Sequence, residues 1–334
     1  MRIVFLSRLH YPHLGGVEKF MENITSQLSI KHDVTVITEQ YDKNLKLLEI
    51  YRGIKIIRIP TYFSTEKQKK WVIWHWLYKN IDILRNSDII HVNDVFFWIL
   101  PWRLIKHFNQ TFITFYGWET KFPIPYKNIM IRKISEKLAR GNICIGDFIA
   151  KWYHTTPNII SYGAVNKAKY RSRNTNTLLF TGRLDKDTGF EDCVKLYNTL
   201  KNKLGWSFII AGDGPLSRIV PQDTKFLGFV SEPEKYIAYA RYVFTTGYLG
   251  ILEAFSYKKI VLGTYNNPLK KDYLLLHPQA KNMLISNSYK SLADLLSSKS
   301  NADLDDMRIN SNNWSKQHTW VNHVKLYEQL WGLR

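Results

Sequence analysis

Short apolar runs alternate with longer helical patterns along the chain of 334 residues. Apolar positions at helical spacing follow the first run, over residues 17–30. Near-continuous apolar strands separated by helices are typical of a parallel sheet that is covered on both faces. The first half therefore predicts a doubly wound α/β domain. Its runs, rich in β-branched and aromatic residues, are 3–7, 32–38, 54–59, 88–92, 111–115, 142–145 and 158–161.

The same alternation restarts after residues 166–177, a polar and basic stretch without periodicity that is typical of a linker. The second set of predicted strands is 178–181, 207–211, 225–229, 242–245, 259–263 and 282–286, and a helical pattern covers 321–331. A chain of this length suits two domains. We therefore predict two Rossmann-like halves that face each other across a cleft. They are an N-terminal domain of residues 1–165, a second domain of residues 166–315 and a terminal helix in residues 316–334.

The chain carries 47 Lys and Arg against 28 Asp and Glu, a net charge of +19 to which both halves contribute. Such an excess favours an anionic partner: nucleic acid, an acidic membrane or a phosphorylated substrate. Solubility or a generally basic composition is the alternative. The hydrophobic content of 45% argues against disorder. Two cysteines exclude a disulfide framework and a four-cysteine zinc site.

The N-terminal sequence MRIVFLSRLHYPHLGG does not read as a secretory signal, because its apolar run is short and ends at Pro and Gly. No stretch approaches the ~18 consecutive apolar residues of a membrane span. We therefore expect a cytoplasmic location.

Glycine-containing loops follow several predicted strands, at the edge where open parallel sheets bind ligands. Gly15 and Gly16 precede a helix, whose amides and dipole would attract an anion; a simple turn is the alternative. Gly182 and Arg183 end another strand, where the arginine would clamp a diphosphate. The alternative for this arginine is an ion pair with the aspartates in the segment RLDKD that it begins.

Two further strand ends carry candidate binding groups. The segment AGDGP contains Gly212 and Gly214, which would leave the strand end open for a ligand or would simply form a turn. The segment TTGYLGILE begins at Thr245, and its helix would offer its first amides to a phosphate. Glu253, one turn into that helix, would accept two ribose hydroxyls or would interact with the helix dipole.

Taken in order, GGVE, TGRL…GFED, AGDGP, FLGFV, GYLGILEAF and KKIVLG resemble the motifs of retaining nucleotide-sugar glycosyltransferases of the GT-B fold, within glycosyltransferase family 4. DIIHVND, TFYGWE and NIISYGAVN fall at the expected places, and HTWVNHVKLYEQL resembles the family's last helix, which crosses back onto the N-terminal domain. The resemblance covers nearly the whole chain.

By this resemblance, Arg183 neutralises the leaving diphosphate, Glu253 binds the ribose, and Tyr116 and Asp94 complete the catalytic set. The implied donor-binding residues are Gly15, Gly16, Gly182, Arg183, Lys186, Gly212, Gly214, Phe229, Thr245, Tyr248, Gly250, Ile251, Leu252 and Glu253.

The sequence departs from the family pattern at four positions. Thr188 replaces a lysine that usually precedes the glycine, Thr245 replaces the first of two glutamates, Tyr116 replaces a histidine, and Asn93 replaces another histidine. Three interpretations follow: an active site with altered contacts through Tyr116, Thr245 or Lys186, a requirement for a partner subunit, or a non-catalytic nucleotide- or glycan-binding module. We favour the first.

The implied reaction is transfer of a hexose from a UDP- or GDP-sugar to a lipid-linked or cell-surface glycan. The resemblance implies same-face attack, in which a donor phosphate oxygen helps to deprotonate the acceptor hydroxyl. The sequence shows no paired-carboxylate glycosidase site. It also has no convincing Asp-x-Asp metal box, so we expect neither a metal nor another cofactor.

Residues 66–80 read EKQKKWVIWHWLYKN and combine basic with interfacial aromatic side chains. This combination suits an anionic bilayer surface, and it predicts a peripheral protein at the cytoplasmic membrane face. Residues 96–108, with basic residues in 121–140, are a second candidate; packing of the tryptophans in the protein interior is the alternative. We find no nucleic-acid-binding motif and expect no such partner. The predicted membrane contacts are Lys67, Lys69, Lys70, Trp71 and Trp74.

Overall fold

A computed structural model describes residues 1–13, 15–106 and 110–333 and divides the chain into two α/β units. The first unit comprises Met1–Ser161 and Trp320–Arg334, and the second comprises Tyr162–Thr319. Residues 162–165 and 316–319 therefore belong to the second unit, whereas the sequence analysis assigned them to the N-terminal domain and to the terminal helix.

The first unit is built on an eight-stranded sheet with the strand order β3-β4-β2-β1-β5-β6-β7-β8. Central strands such as β1 are buried on both faces, which explains their nearly continuous apolar sequence. The elements are β1 (Arg2–Ser7), α1 (Gly16–Leu28), β2 (Asp33–Gln40), β3 (Leu48–Tyr51), β4 (Ile54–Pro60), α2 (Glu66–Lys79), α3 (Ile81–Arg85), β5 (Ile89–Asn93), α4 (Leu100–Lys106), β6 (Thr111–Phe115), α5 (Tyr126–Leu138), β7 (Gly141–Ile145), α6 (Asp147–Tyr153) and β8 (Ile159–Ser161).

One edge of this sheet corrects the prediction of purely parallel pairing. Strand β3 pairs with β4 in the antiparallel direction, in a hairpin that the sequence analysis missed. The connecting residues Arg52 and Gly53 both have positive φ angles, of 50° and 78°. Two positive φ angles match the twist that a tight hairpin needs. The sheet is therefore mixed, and its remaining strand pairs are parallel.

The second unit contains a six-stranded sheet in the order β11-β10-β9-β12-β13-β14, with all neighbours parallel. Residues 175–177, predicted as the end of a linker, begin β9. The elements are β9 (Thr175–Thr181), α7 (Phe190–Leu204), β10 (Ser207–Ala211), β11 (Lys225–Phe226), α8 (Glu234–Tyr239), β12 (Ala240–Phe244), α9 (Tyr248–Ser256), β13 (Ile260–Thr264), α10 (Pro268–Leu275), β14 (Leu284–Ser286), α11 (Tyr289–Ser297) and α12 (Asn301–Ser315), and the chain ends with α13 (Trp320–Leu330) of the first unit.

A buried polar network holds the end of the chain on the first sheet. The indole Nε1 of Trp331 donates to Nδ1 of His91 at 3.1 Å, and Nε2 of His91 lies 2.7 Å from the hydroxyl of Thr114. The Thr114 hydroxyl lies 3.2 Å from that of Tyr327 on α13. Burial lowers the pKa of His91 to about 3, so this imidazole is neutral in the folded protein.

We predict that His91 makes the stability of the protein fall on acidification. Between pH 6.5 and 3 the unfolded chain binds a proton at this imidazole and the folded chain does not, so the free energy of unfolding decreases as the pH falls. At pH 5 the loss from this one group is about 2 kcal/mol. Urea unfolding at pH 7 and pH 5 should show a smaller pH effect for H91Q than for the unaltered chain.

His75 is exposed on α2, and H75Q is the matched control, which should keep the full pH effect. An H91Q variant that lost as much stability as the unaltered chain between these pH values would contradict the assignment.

Candidate functional site

The loops that follow β9 and β10 pack backbone against backbone at the carboxyl edge of the second sheet. A Cβ added to Gly212 would lie 1.8 Å from the carbonyl oxygen of Gly182. One added to Gly214 would lie 2.6 Å from the carbonyl oxygen of Leu184. The amide of Leu184 in turn donates to the carbonyl of Asp213 at 2.9 Å. Contact between the loops therefore suffices to explain Gly212 and Gly214.

We predict that G212A destabilises the second unit by about 2–3 kcal/mol, because the new methyl group would overlap a carbonyl that cannot move independently. The matched control is G247A. Gly247 has a φ angle of −107° and no atom within 4 Å of an added Cβ, so that variant should stay within about 1 kcal/mol. Urea denaturation measures both, and equal losses would contradict this account.

Arg183 lies two residues after the end of β9 and is more than half exposed, with its guanidinium held by two carboxylates. Its Nη2 lies 3.0 and 3.1 Å from the two carboxylate oxygens of Asp187, and its Nε lies 3.4 Å from Asp185. The alternative that the sequence offered for this residue, an ion pair with either aspartate, is thus present. An exposed pair contributes about 1 kcal/mol or less, so an incoming diphosphate can replace Asp187 at low cost.

The rest of this loop is held by hydroxyl groups. The hydroxyl oxygen of Thr188 lies 2.7 Å from the carbonyl oxygens of both Arg183 and Asp185, which share its one proton. The hydroxyl of Thr246, in the loop after β12, donates to the carbonyl of Thr188 at 3.1 Å. Lys186 is exposed on the same loop. The hydroxyl of Thr188 therefore stabilises the loop at the position of the family's lysine.

The loop between β12 and α9 is shaped by a close contact within the protein. Thr245 is buried, and a Cβ added to Gly250 would lie 2.4 Å from its hydroxyl oxygen. Gly250 thus allows the first turn of α9 to pack on Thr245.

Three of the predicted donor contacts on α9 need correction. The amide of Ile251 donates to the carbonyl of Gly247 at 2.9 Å, and the side chains of Ile251 and Leu252 are fully buried. The amide of Tyr248 donates to the hydroxyl of Tyr273 at 3.1 Å, and the hydroxyl of Tyr248 donates to the Tyr273 carbonyl at 2.7 Å. These groups already have partners inside the unit. The better ligands for an anion are the amides in the first turn of α9 that have no intrahelical acceptor.

Two other predicted donor contacts lie near the same sheet edge. Glu253 is buried in the second turn of α9. Phe229 is 58% exposed and follows Gly228, whose φ angle is +63°. An exposed ring beyond the end of β11 offers a flat apolar surface, and Glu253 offers a carboxylate.

Lys270 on α10 was missed by the sequence analysis. Its side chain is buried and its ammonium donates to the carbonyl of Thr246 at 3.1 Å. Burial lowers the pKa of Lys270 to about 8, although the carboxylate of Asp187 partly opposes this effect. A lysine near the start of a helix is ordinary in sequence, so nothing in PLKKDY distinguished it.

In the first unit, a side chain of the protein lies where the sequence predicted an anion. A Cβ added to Gly15, which precedes α1, would lie 2.2 Å from Oε2 of Glu18. The other carboxylate oxygen of Glu18 lies 3.4 Å from Nδ1 of His13. Gly16 has no atom within 4 Å of an added Cβ. An anion at this helix start would therefore have to displace Glu18.

Asp94 and Tyr116 meet at the ends of β5 and β6, but not as predicted. The carboxylate of Asp94 accepts the backbone amide of Tyr116 at 3.2 and 3.3 Å. The hydroxyl of Tyr116 donates to the side-chain oxygen of Asn93 at 2.9 Å and is buried 3.4 Å from the hydroxyl of Tyr327. The expectation that the Tyr116 hydroxyl contacts a substrate is therefore corrected: it points into the interior of the unit.

Asp94 adopts a positive φ angle of 56°. The residue is exposed, yet desolvation by the surrounding atoms raises the pKa of its carboxyl to about 6. The guanidinium of Arg132 and the amide of Tyr116 oppose this increase. A carboxyl with such a pKa can accept a hydrogen bond as the anion at neutral pH and can take up a proton in mild acid.

Arg132 on α5 is a second buried cation that the sequence analysis missed. Its Nη2 donates to the carbonyl of Gly117 and lies 3.3 Å from Oε1 of Glu119. Its guanidinium carbon lies 3.9 Å from the ring centre of Tyr153, whose hydroxyl donates to Glu119 at 2.5 Å. Nη1 is buried without a hydrogen-bond partner in the described part of the chain. One buried donor of this guanidinium therefore has no acceptor among the described residues.

The five predicted membrane contacts on α2 differ in their exposure to solvent and in their contacts within the protein. Lys69 pairs with Glu66 at 2.7 Å and Glu39 at 3.2 Å, so its charge is neutralised. Trp74 is partly buried, and its Nε1 donates to the carbonyl of Phe97 at 2.8 Å. Trp71 is 60% exposed, with the ammonium of Lys70 at 4.9 Å from its ring centre. Lys67 is also exposed.

In the second candidate segment, Phe96 and Trp98 are buried, as the packing alternative predicted, whereas Phe97 and Leu104 are exposed. Residues 107 and 108 of this segment lie outside the described residues.

Within residues 1–13, 15–106 and 110–333, no three His, Cys, Asp or Glu side chains are grouped so that they could hold a metal ion. No helix there combines the length and the apolar character needed to cross a membrane.

Residues 14–159 match the sequence profile of a family described as Glycosyltransferase Family 4. The whole chain is similar to solved structures, among them sucrose-phosphate synthase from Thermosynechococcus elongatus, with 15% identity, 100% of both chains covered and a TM-score of 0.77. WaaG, a glycosyltransferase involved in lipopolysaccharide biosynthesis, matches with 15% identity over 98% of this chain and 99% of its own, with a TM-score of 0.69.

Anabaena Alr3699/HepE, solved in complex with UDP and glucose, has 13% identity over 98% of both chains and a TM-score of 0.73. Among curated protein sequences, none is significantly similar to this chain. The structural likeness shows the GT-B fold of two α/β domains, as the sequence motifs predicted.

Proposed function

We propose that this chain, which has the GT-B fold and whose residues 14–159 match Glycosyltransferase Family 4, is a glycosyltransferase that transfers a hexose from a nucleotide-diphosphate sugar to a lipid-linked or cell-surface glycan. The observation that carries the donor assignment is the position of Arg183. This exposed cation lies at the carboxyl edge of the second sheet. Its loop contacts the loop that leads from β12 into the first turn of α9. That edge is where parallel sheets bind ligands.

The donor chemistry follows from the charges at this edge. A departing nucleoside diphosphate needs positive potential, which Arg183 and the first amides of α9 supply. Glu253 would accept hydrogen bonds from the ribose, and Phe229 would cover the base. HepE was solved with UDP and glucose, which supports a UDP-sugar; a GDP-sugar remains the second candidate.

We assign Asp94 and Arg132 to sugar recognition in the first unit. Asp94 offers an acceptor for a sugar hydroxyl, and Nη1 of Arg132 offers a buried donor. The transfer would retain the configuration at the sugar carbon, with a phosphate oxygen of the donor assisting deprotonation of the acceptor hydroxyl. In this scheme neither a protein nucleophile nor a metal ion is required. WaaG acts in lipopolysaccharide biosynthesis, which supports a glycan or lipid-linked acceptor.

The test is a donor screen followed by two substitutions. Calorimetry with UDP, GDP and ADP, and turnover assays with their hexose conjugates and lipid-linked glycan acceptors, should identify one donor. R183A should then lower kcat/KM at least about 100-fold, because a diphosphate contact is stronger in the transition state than in the ground state. E253Q should weaken nucleotide binding by about tenfold, the loss of one or two hydrogen bonds.

The matched control is R218A, which removes another exposed arginine of the second unit and should leave kcat/KM unchanged. Full activity of R183A would remove the proposed role of this residue. Nucleotide binding without any transfer would contradict the proposed reaction and would favour a binding subunit.

We further propose that the first unit contacts an anionic membrane at the cytoplasmic face. Lys67, Lys70 and Trp71 of α2 are exposed, and a basic residue beside an interfacial aromatic suits a bilayer surface. Helix α5 adds an exposed apolar row with lysines around it. Its apolar members are Tyr126, Met130, Ile131 and Ile134, and its exposed lysines are Lys127 and Lys137.

Vesicle flotation tests this surface. The unaltered chain should float with vesicles that contain phosphatidylglycerol and not with pure phosphatidylcholine. The double variant K67E/K70E should bind at least about 30-fold more weakly, since each lysine near an anionic surface contributes about 1 kcal/mol. W71S and I131S/I134S should each reduce binding several-fold.

The control with equal charge change is K203E/K235E, on exposed lysines of the second unit, which should keep most of the binding. If α2 and α5 variants all floated like the unaltered chain, the membrane assignment would be wrong. Binding of duplex DNA in preference to vesicles would favour a nucleic-acid partner instead.

A further inference from the structure

A buried ammonium group contacts the loop after β12, and in the described part of the chain its hydrogen bond goes to a carbonyl rather than to a carboxylate. Lys270 is 6% exposed, and its Nζ donates to the carbonyl of Thr246 at 3.1 Å. The ring centre of Tyr273 lies 4.4 Å from the same atom. An ammonium has three donors, and a buried charge is costly unless it is paired. A single carbonyl and an aromatic face leave Lys270 able to accept a stronger partner.

The hydrogen bonds of Thr246 connect Lys270 with the Arg183 loop. The carbonyl of Thr246 binds Lys270, and its hydroxyl donates to the carbonyl of Thr188 at 3.1 Å. Thr188 directly follows Asp187, the carboxylate that holds Arg183 at 3.0 and 3.1 Å. Hydrogen bonds through Thr246 therefore connect Lys270 with the loop that carries Asp187 and Arg183.

Asp187 is also the carboxylate whose charge acts on Lys270. Burial lowers the pKa of Lys270 to about 8, and Asp187 is the group that opposes this effect. The ammonium thus keeps a proton near neutral pH within the field of Asp187, while the hydrogen bonds of Asp187 go to Arg183.

We propose that Lys270 is a positioning residue that receives Asp187 when a nucleoside diphosphate takes its place on Arg183. This exchange rests on the proposed donor site. The diphosphate would displace the carboxylate from the exposed guanidinium, and the carboxylate would turn towards the buried ammonium of Lys270. Arg183 exchanges one anion for another, and Asp187 keeps a cationic partner throughout. Displacing Asp187 from Arg183 then costs less free energy than it would if the carboxylate were left unpaired.

The exchange predicts a coupling between Lys270 and Asp187 in nucleotide affinity. Calorimetry would use whichever of UDP, GDP and ADP the unaltered chain binds most tightly. K270M should weaken that affinity about tenfold, since Asp187 then has no second partner. D187N should bind several-fold more tightly than the unaltered chain, because the carboxylate of Asp185, 3.4 Å from Nε, is then the one acidic group left among the described residues to compete for Arg183. In the D187N background, K270M should change the affinity less than twofold.

The control is K271M, which removes the neighbouring exposed lysine and should bind like the unaltered chain. A direct effect of Lys270 on loop structure would give the same loss whether K270M is made in the unaltered chain or in the D187N background, and that result would overturn the exchange. Equal affinity of K270M and the unaltered chain would overturn it as well.

Thermal unfolding would identify a K270M variant that fails to fold. D187N then tests the displacement step on which the exchange depends, because weaker or unchanged nucleotide binding by that variant contradicts competition for Arg183. If the unaltered chain bound none of the three nucleotides, the donor site itself would be refuted. A normal affinity of the unaltered chain without the coupling would refute only the exchange.

Discussion

The parallel pairing of β9 with β10 and β12 is the constraint on which the proposed donor site depends. It brings three strand ends to one edge, where the chain must reverse direction into helices. The loops there approach so closely that Gly212 has no room for a side chain. A ligand at this edge therefore meets a surface of main-chain groups and a few long side chains. Arg183 is exposed because the loop beneath it is held by other contacts.

Those other contacts are made by threonine side chains, at two positions where the family that the sequence resembles has charged residues. By resemblance, the family places a lysine at the position of Thr188 and a glutamate at that of Thr245. The hydroxyl of Thr188 closes its own loop, and Thr245 packs beneath the first turn of α9. One positive and one negative charge are replaced together, so the net charge of the site is conserved. Replacing both residues leaves the charge balance of the site unchanged, whereas replacing either one alone would leave an unpaired charge.

The order of elements was largely predictable because parallel strands that are buried on both faces need continuous apolar runs. The hairpin of β3 was missed because an edge strand covered on one side carries no such run; Leu48 and Ile50 are exposed. The direction in which Tyr116 points was unpredictable for a different reason. Its hydroxyl partner is the side chain of Asn93 on a neighbouring strand, and another hydroxyl close to it belongs to Tyr327 on α13, 211 positions away in the chain.

The two buried cations show why part of a site escapes sequence analysis. Arg132 and Lys270 both lie on helices, where a basic residue is usually exposed, and their burial depends on loops from distant strands. Arg132 has Glu119 and an aromatic face as partners, so its charge is compensated within the first unit. Among the residues that the structure describes, Lys270 has a carbonyl and an aromatic face. A buried ammonium without a carboxylate partner lowers the stability of the folded protein. The simplest physical reason to keep Lys270 there is that it gains Asp187 as a partner when a nucleoside diphosphate binds.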